Sequence, residues 1–197
     1  MNTGLSNREI WQDKSGYLAV QAEHSFCNVF ETAFRDTNFS IRSKPDEFNK
    51  IYVDVPLDSK VQEQIYIPDF EIKKHGISPD YAIDCKDSNK TLYIEVKRQD
   101  GWVEGKPRSA GRGNAHERCC KYFTPGLMKI LQEQSGIESG HLPFWIVFMG
   151  DITRDPCRVR EITCWFEGFS EHFFFWRDMS DPIPLIDHFN KNLKHLL

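Results

Sequence analysis

Asp80, Glu95 and Lys97 are the residues of this chain whose types and spacing best suggest chemistry. Asp80 follows Pro79, and fourteen residues separate it from Glu95-Val96-Lys97. In "TLYIEVKRQDG", Thr91 to Gly101, Leu92, Ile94 and Val96 alternate with Tyr93, Glu95 and Lys97. Period two predicts a half-buried β-strand with the apolar trio on one face. Glu95 and Lys97 then share the other face, roughly 7 Å apart. Two carboxylates and a nearby carbonyl suit Mg²⁺, which prefers oxygen ligands and leaves room for water and phosphate. Such an ion polarises a phosphate and lowers the pKa of water, and a lysine ammonium can neutralise charge on the phosphate. The same pattern also describes an ordinary solvated strand face, where ion pairs contribute little.

A second cluster lies in "SAGRGNAHER", where Arg112, Asn114, Glu117 and Arg118 fall within seven residues. Arginine suits guanine O6 and N7, asparagine suits adenine N6 and N7, and glutamate accepts from a base amino group. A plain helix start explains Asn114 as a cap. It does not explain Arg112 between two glycines.

These residues need elements to position them. "PDYAIDC" reads as a short strand, "KDSNK" as a turn, and the Glu95 strand follows, giving an antiparallel hairpin that brings Asp80 beside Glu95. A helix is predicted over 14–36, from Leu18, Ala22, Phe26, Val29, Phe30, Ala33 and Phe34 at three- and four-residue steps. "KIYVDVPL" reads as extended, and "DSKVQEQIYI" as a short helix started by Asp58 or Ser59. "RQDGWVEGKPRSAGRG" reads as a loop, and "NAHERCCKYF" as a short helix with Asn114 at its N-cap. Thr124 and Pro125, then Asp155 and Pro156, repeat a cap-then-proline signature for two more helices. "LPFWIVFMG" suits a buried central strand, "HFFFWRDM" another strand, and "DPIPLIDHFNKNLKHLL" an amphipathic helix. The expected class is α/β, a central mixed β-sheet flanked by helices.

The length, 197 residues with 15 Phe, 5 Trp and 6 Tyr, suits a single domain over 1–197. The polar N-terminus lacks a signal-peptide core and the longest apolar run is too short to span a bilayer, so a cytoplasmic protein with no membrane partner is expected. Six cysteines without a framework are expected to be free thiols. His116, Cys119 and Cys120 share one helical face, but no second ligand pair accompanies them, so zinc there is not expected. A net charge of −4 argues against a sequence-blind DNA binder. Residues 97–121 depart from that balance, with seven basic residues against Asp100, Glu104 and Glu117.

Together "SPDYAIDC", "IEVKRQDGWVEGK" and "SAGRGNAHER" resemble the MunI-type, EcoRI-like branch of the type II restriction endonucleases, within the PD-(D/E)XK nucleases. "FTPGL", "LPFW", "GDITRDP" and "RVREIT" extend the likeness over most of residues 75–170. The resemblance implies the PD-(D/E)XK restriction-endonuclease-like fold and assigns Asp80, Glu95 and Lys97 to the catalytic triplet, with Asp80 and Glu95 holding Mg²⁺. It implies that Asn114, Glu117 and Arg118 read an inner AATT, that Gly113 and Ala115 belong to the same segment, and that Arg112 reads an outer C:G pair. The implied site on double-stranded DNA is CAATTG, cut after the first C to leave 5′-AATT overhangs, in a bacterial cytoplasm that also holds a cognate DNA methyltransferase. One candidate site per chain against two DNA strands predicts a homodimer on a palindrome. The alternatives are a repair or structure-specific nuclease on the same core, a non-catalytic DNA-binding protein, and a plain α/β domain.

Overall fold

The computed structural model describes residues 3–101 and 115–197, with side chains from residue 16 onward. Five strands form one sheet in the order β1-β2-β3-β4-β5, with β1 Phe39–Ser43, β2 Tyr81–Cys85, β3 Lys90–Arg98, β4 Phe144–Met149 and β5 Phe173–Trp176. The first three strands are antiparallel, and β4 and β5 continue parallel to β3. The sheet is therefore mixed, and helices cover both of its faces.

On one face lie α1 (Thr3–Ala33) and α5 (Ile183–Asn192). Ala22, Phe26 and Phe30 recur every four residues on α1 and meet Leu92, Ile94, Val96, Trp145 and Phe189 in one buried cluster. The phenyl ring of Phe26 lies 5.7 Å from Trp145, edge to face. On the other face, α3 (Pro125–Ser135) contributes Leu127 and Leu131, and α4 (Pro156–Trp165) contributes Ile162. Tyr93, Phe144, Ile146 and Phe148 point into this second cluster. All six residues of β4 are buried, as its unbroken apolar run requires.

The face of β3 expected to be half-exposed is covered. Tyr93 is 1% exposed and Glu95 6%. Both clusters need a strand side, so a central strand has no free face. Helix α1 begins well before residue 14 and ends at Ala33. β1 is an element without an expected counterpart; it is short, lies at the sheet edge, and carries only Phe39 and Ile41 as apolar residues. "KIYVDVPL" is not extended. Its first half forms turns, with Val53 N–H donating to the Lys50 carbonyl at 2.9 Å. The short helix α2, Ser59–Gln62, follows an Asp58 cap as the composition suggests. The C-terminal helix stops at Asn192, and Lys194–Leu196 tighten into a 3₁₀ turn.

Two cap-and-proline helices also differ in detail. Asp155 caps α4, accepting from the N–H groups of Cys157 and Arg158. Thr124 makes no side-chain cap; its hydroxyl donates backward to the Lys121 carbonyl at 2.7 Å. All six cysteines are free. No helix among the described residues is long and apolar enough to cross a membrane.

The 3₁₀ turn Ser170–His172 leads into β5. The fully buried ring of His172 there donates from Nδ1 to the Phe144 carbonyl, 3.0 Å away, at the start of β4. Burial pushes its pKa down to about 4. An imidazole in the unfolded chain titrates near 6.5, so the unfolded state takes up its proton first as the pH falls. Folding stability from this group is therefore complete above about pH 6.5 and is lost progressively toward pH 4. Urea denaturation at about pH 7 and pH 5 should show a loss of about 1–2 kcal/mol from this source. In His172→Gln that part of the pH slope should disappear.

Candidate active site

The hairpin delivers the site. Tyr81 pairs with Ile94 across β2 and β3, so Asp80, one residue before β2, lies level with the end of the Glu95 strand. The Asp80 carboxylate accepts a 2.8 Å hydrogen bond from the backbone N–H of Val96. Leu92, Ile94 and Val96 anchor the strand in the α1 cluster, which turns Glu95 and Lys97 toward the opposite face. Lys97 then closes the constellation. Its Nζ lies 2.6 Å from Glu95 Oε1, 3.4 Å from Asp80 Oδ2 and 3.3 Å from the Val96 carbonyl. Asp80 and Glu95 are both 6% exposed.

Burial opposes the charge on Lys97, but the Glu95 and Asp80 carboxylates outweigh it and raise its pKa. Lys97 is thus held as an ammonium. One cation already touches three oxygens, from Asp80, Glu95 and the Val96 carbonyl. That set of hard oxygen donors around a common point fits a small divalent ion. Asp80, Glu95 and the Val96 carbonyl would hold it.

Two further residues join the site without a signal in the sequence. Tyr122 is buried and donates its hydroxyl to Glu95 Oε2 at 2.7 Å. Burial, then the Glu95 charge, raises the pKa of this phenol, so it stays a donor. Lys44 contacts the other carboxylate, with Nζ 3.3 Å from Asp80 Oδ1 and 3.4 Å from Glu23 Oε2. Glu23 therefore reaches the site through Lys44. Lys44 sits at φ 48° and donates its backbone N–H to the Asp80 carbonyl. A left-handed lysine is rare and costs energy, and such strain gathers at functional sites.

The expected base-reading residues divide. Arg112, Gly113 and Asn114 lie outside the described residues. Ala115 occupies a turn, followed by a 3₁₀ helix over Glu117–Phe123 whose N-cap position is His116. Glu117 and Arg118 are exposed on this helix, while Cys119 and Tyr122 are buried beneath it. His116, Cys119 and Cys120 do not converge. His116 stacks on Trp165 and bonds Glu161 at 3.0 Å, and Cys119 packs inward. Burial pushes the Cys119 thiol up to about 12, which leaves it a poor metal ligand.

A family model described as type II restriction enzyme MunI matches residues 1–197. A type II restriction enzyme MunI from Mycoplasma sp is 47% identical over 196 residues, which covers 98% of this chain and 97% of that protein. The crystal structure of MunI restriction endonuclease in complex with cognate DNA aligns with a TM-score of 0.82 at 46% identity, covering 95% of this chain and 96% of that one.

Tyr122 orients a carboxylate rather than touching an ion, so its loss should loosen the site and leave the fold intact. Tyr122→Phe is expected to weaken divalent-ion affinity by about 10–100-fold, measured by calorimetric titration. Unchanged affinity would separate Tyr122 from the function of Glu95.

Proposed function

Since the chain belongs to the MunI family of type II restriction enzymes, we propose that it is a Mg²⁺-dependent site-specific deoxyribonuclease acting at CAATTG, cutting after the first C. The observation that carries this reading is the convergence of Asp80, Glu95 and the Val96 carbonyl on the Lys97 ammonium. Asp80 and Glu95 are assigned to the metal and Lys97 to catalysis. Mg²⁺, when bound, supplies charge to polarise the scissile phosphate and lower the pKa of a water. The residues of the chain supply the rest. Asp80 is fixed by the Val96 N–H, and Glu95 by the Tyr122 hydroxyl. Lys97, held protonated, offers a point charge to the negative charge that builds on the phosphate during P–O cleavage.

Recognition is assigned to Arg112, Gly113, Asn114, Ala115, Glu117 and Arg118, with Arg112 on the outer pair. Exposed Glu117 and Arg118 are free to meet base edges, which supports that role. The whole chain is taken as one endonuclease domain working as a homodimer on double-stranded DNA. An apolar surface supports the dimer. Residues 54–76 are exposed throughout, and they include Tyr66, Ile67 and Phe70 at 99%, 90% and 69%. Large apolar side chains exposed this close together mark an interaction surface. The reading places the enzyme in a bacterial cytoplasm beside a methyltransferase that protects the same site.

Digestion of plasmid DNA with Mg²⁺, followed by sequencing of the ends, should give a single overhang, AATT. Random ends would favour the repair-type nuclease. Asp80→Ala and Glu95→Ala are each expected to abolish cleavage while DNA binding persists, since a negative charge near phosphate is removed. Wild-type turnover in either variant would remove the metal assignment. Arg112→Ala should lose about 1–3 kcal/mol of discrimination at the outer pair. Competition between CAATTG and GAATTC duplexes reads this, and an unchanged preference rules the assignment out.

A further inference from the structure

A second set of ligand-type side chains sits at the opposite end of the parallel strands. His141 lies in the loop before β4, and Glu171 and His172 lie just before β5. One ligand atom from each falls within 4.8 Å of the other two. The neighbouring starts of two parallel strands bring them together. Phe144, whose carbonyl holds His172, is four residues along β4 from Phe148, the register partner of Lys97. That is about 13 Å of strand. The cluster is therefore separate from Asp80 and Glu95.

His172 is what makes the cluster more than a coincidence of polar groups. Its ring is fully buried, and Nδ1 donates to the Phe144 carbonyl. A neutral ring so fixed presents a lone pair at Nε2. Among the described residues, this atom is buried without a hydrogen-bond partner. The nearest carboxylate oxygen, Glu171 Oε1, is 3.8 Å away, too far for a hydrogen bond. A backbone carbonyl behind one ring nitrogen, with the other nitrogen free, is the arrangement that orients metal-ligating histidines. Ligands on a tetrahedral Zn²⁺ stand about 3.4 Å apart, given bond lengths of about 2.0–2.2 Å. The Glu171–His172 separation is near that value, and His141, half-buried on a loop, has only a short distance to close. The exposed ring of His195 stands 6.0 Å from that of His141.

We propose that His141, Glu171 and His172 form a second metal site, built for Zn²⁺ or a similar transition-metal ion and distinct from the catalytic carboxylates. Two imidazoles and one carboxylate favour Zn²⁺ over Mg²⁺, which takes oxygen donors. An ion there would join the loop before β4 to the edge strand β5, which makes its role structural. It stabilises the folded state by mass action and takes no part in phosphate chemistry.

The test uses the full chain carrying Asp80→Ala, stripped with a chelator, so that the catalytic carboxylate pair is already broken. Zn²⁺ should bind at one ion per chain by calorimetry and raise the melting temperature, whereas Mg²⁺ should not. Adding His141→Ala or Glu171→Gln should weaken Zn²⁺ binding at least about tenfold and remove the thermal shift. These two residues are preferred to His172, whose ring also holds the Phe144 carbonyl. Equal zinc affinity and thermal shift in His141→Ala and Glu171→Gln would overturn the proposal. Failure of the Asp80→Ala chain to take up zinc would overturn it as well.

Discussion

The structure turns on two carboxylates that are almost shut off from water. Asp80 and Glu95 are each 6% exposed at the open end of the hairpin. An ionised carboxylate so placed costs several kcal/mol unless it is paired and hydrogen-bonded. Every nearby polar feature meets that requirement. The Val96 N–H and Lys44 hold Asp80, the Tyr122 hydroxyl holds Glu95, and Lys97 binds both. A surface with the same charges would need none of this, because water would solvate it.

The same constraint links the two functional parts of the chain. The 3₁₀ helix Glu117–Phe123 carries Glu117 and Arg118 outward and Cys119 and Tyr122 inward. Tyr122 reaches Glu95 only because this helix is seated on the sheet through the second apolar cluster. The side chains proposed for base reading and the donor that fixes Glu95 therefore sit on one short element. Lys44 plays the corresponding part on the other side, tying the turn after β1 and helix α1 to Asp80.

The sheet also separates its polar groups by end. Beyond β4, whose residues are wholly buried, Lys97 stands at one end and His172 at the other. Between them the core is aromatic, with Trp145, Phe144 and Phe148 fully enclosed. Such a core leaves polar chemistry only at the strand ends, where loops supply the partners.

The sequence alone determined the hairpin, the meeting of Asp80, Glu95 and Lys97, and the α/β class. Each rests on short-range pattern: alternation over Leu92–Lys97, a polar turn between two strands, and cap-then-proline at Asp155. It also carried the family, through "PDYAIDC", "IEVKRQ" and "GNAHER". What it did not carry was whatever depends on who covers whom. The buried state of Glu95 required knowing that a second cluster packs on its face. The edge strand β1, the left-handed Lys44 and the turns over 50–54 are set by contacts with distant segments, such as Lys44 with Asp80 and Tyr52 with His75. Tyr122 and Lys44 read as an unremarkable tyrosine and lysine until the fold brought them to Glu95 and Asp80, since hydrogen bonds spanning 27 and 36 residues leave no period in the sequence.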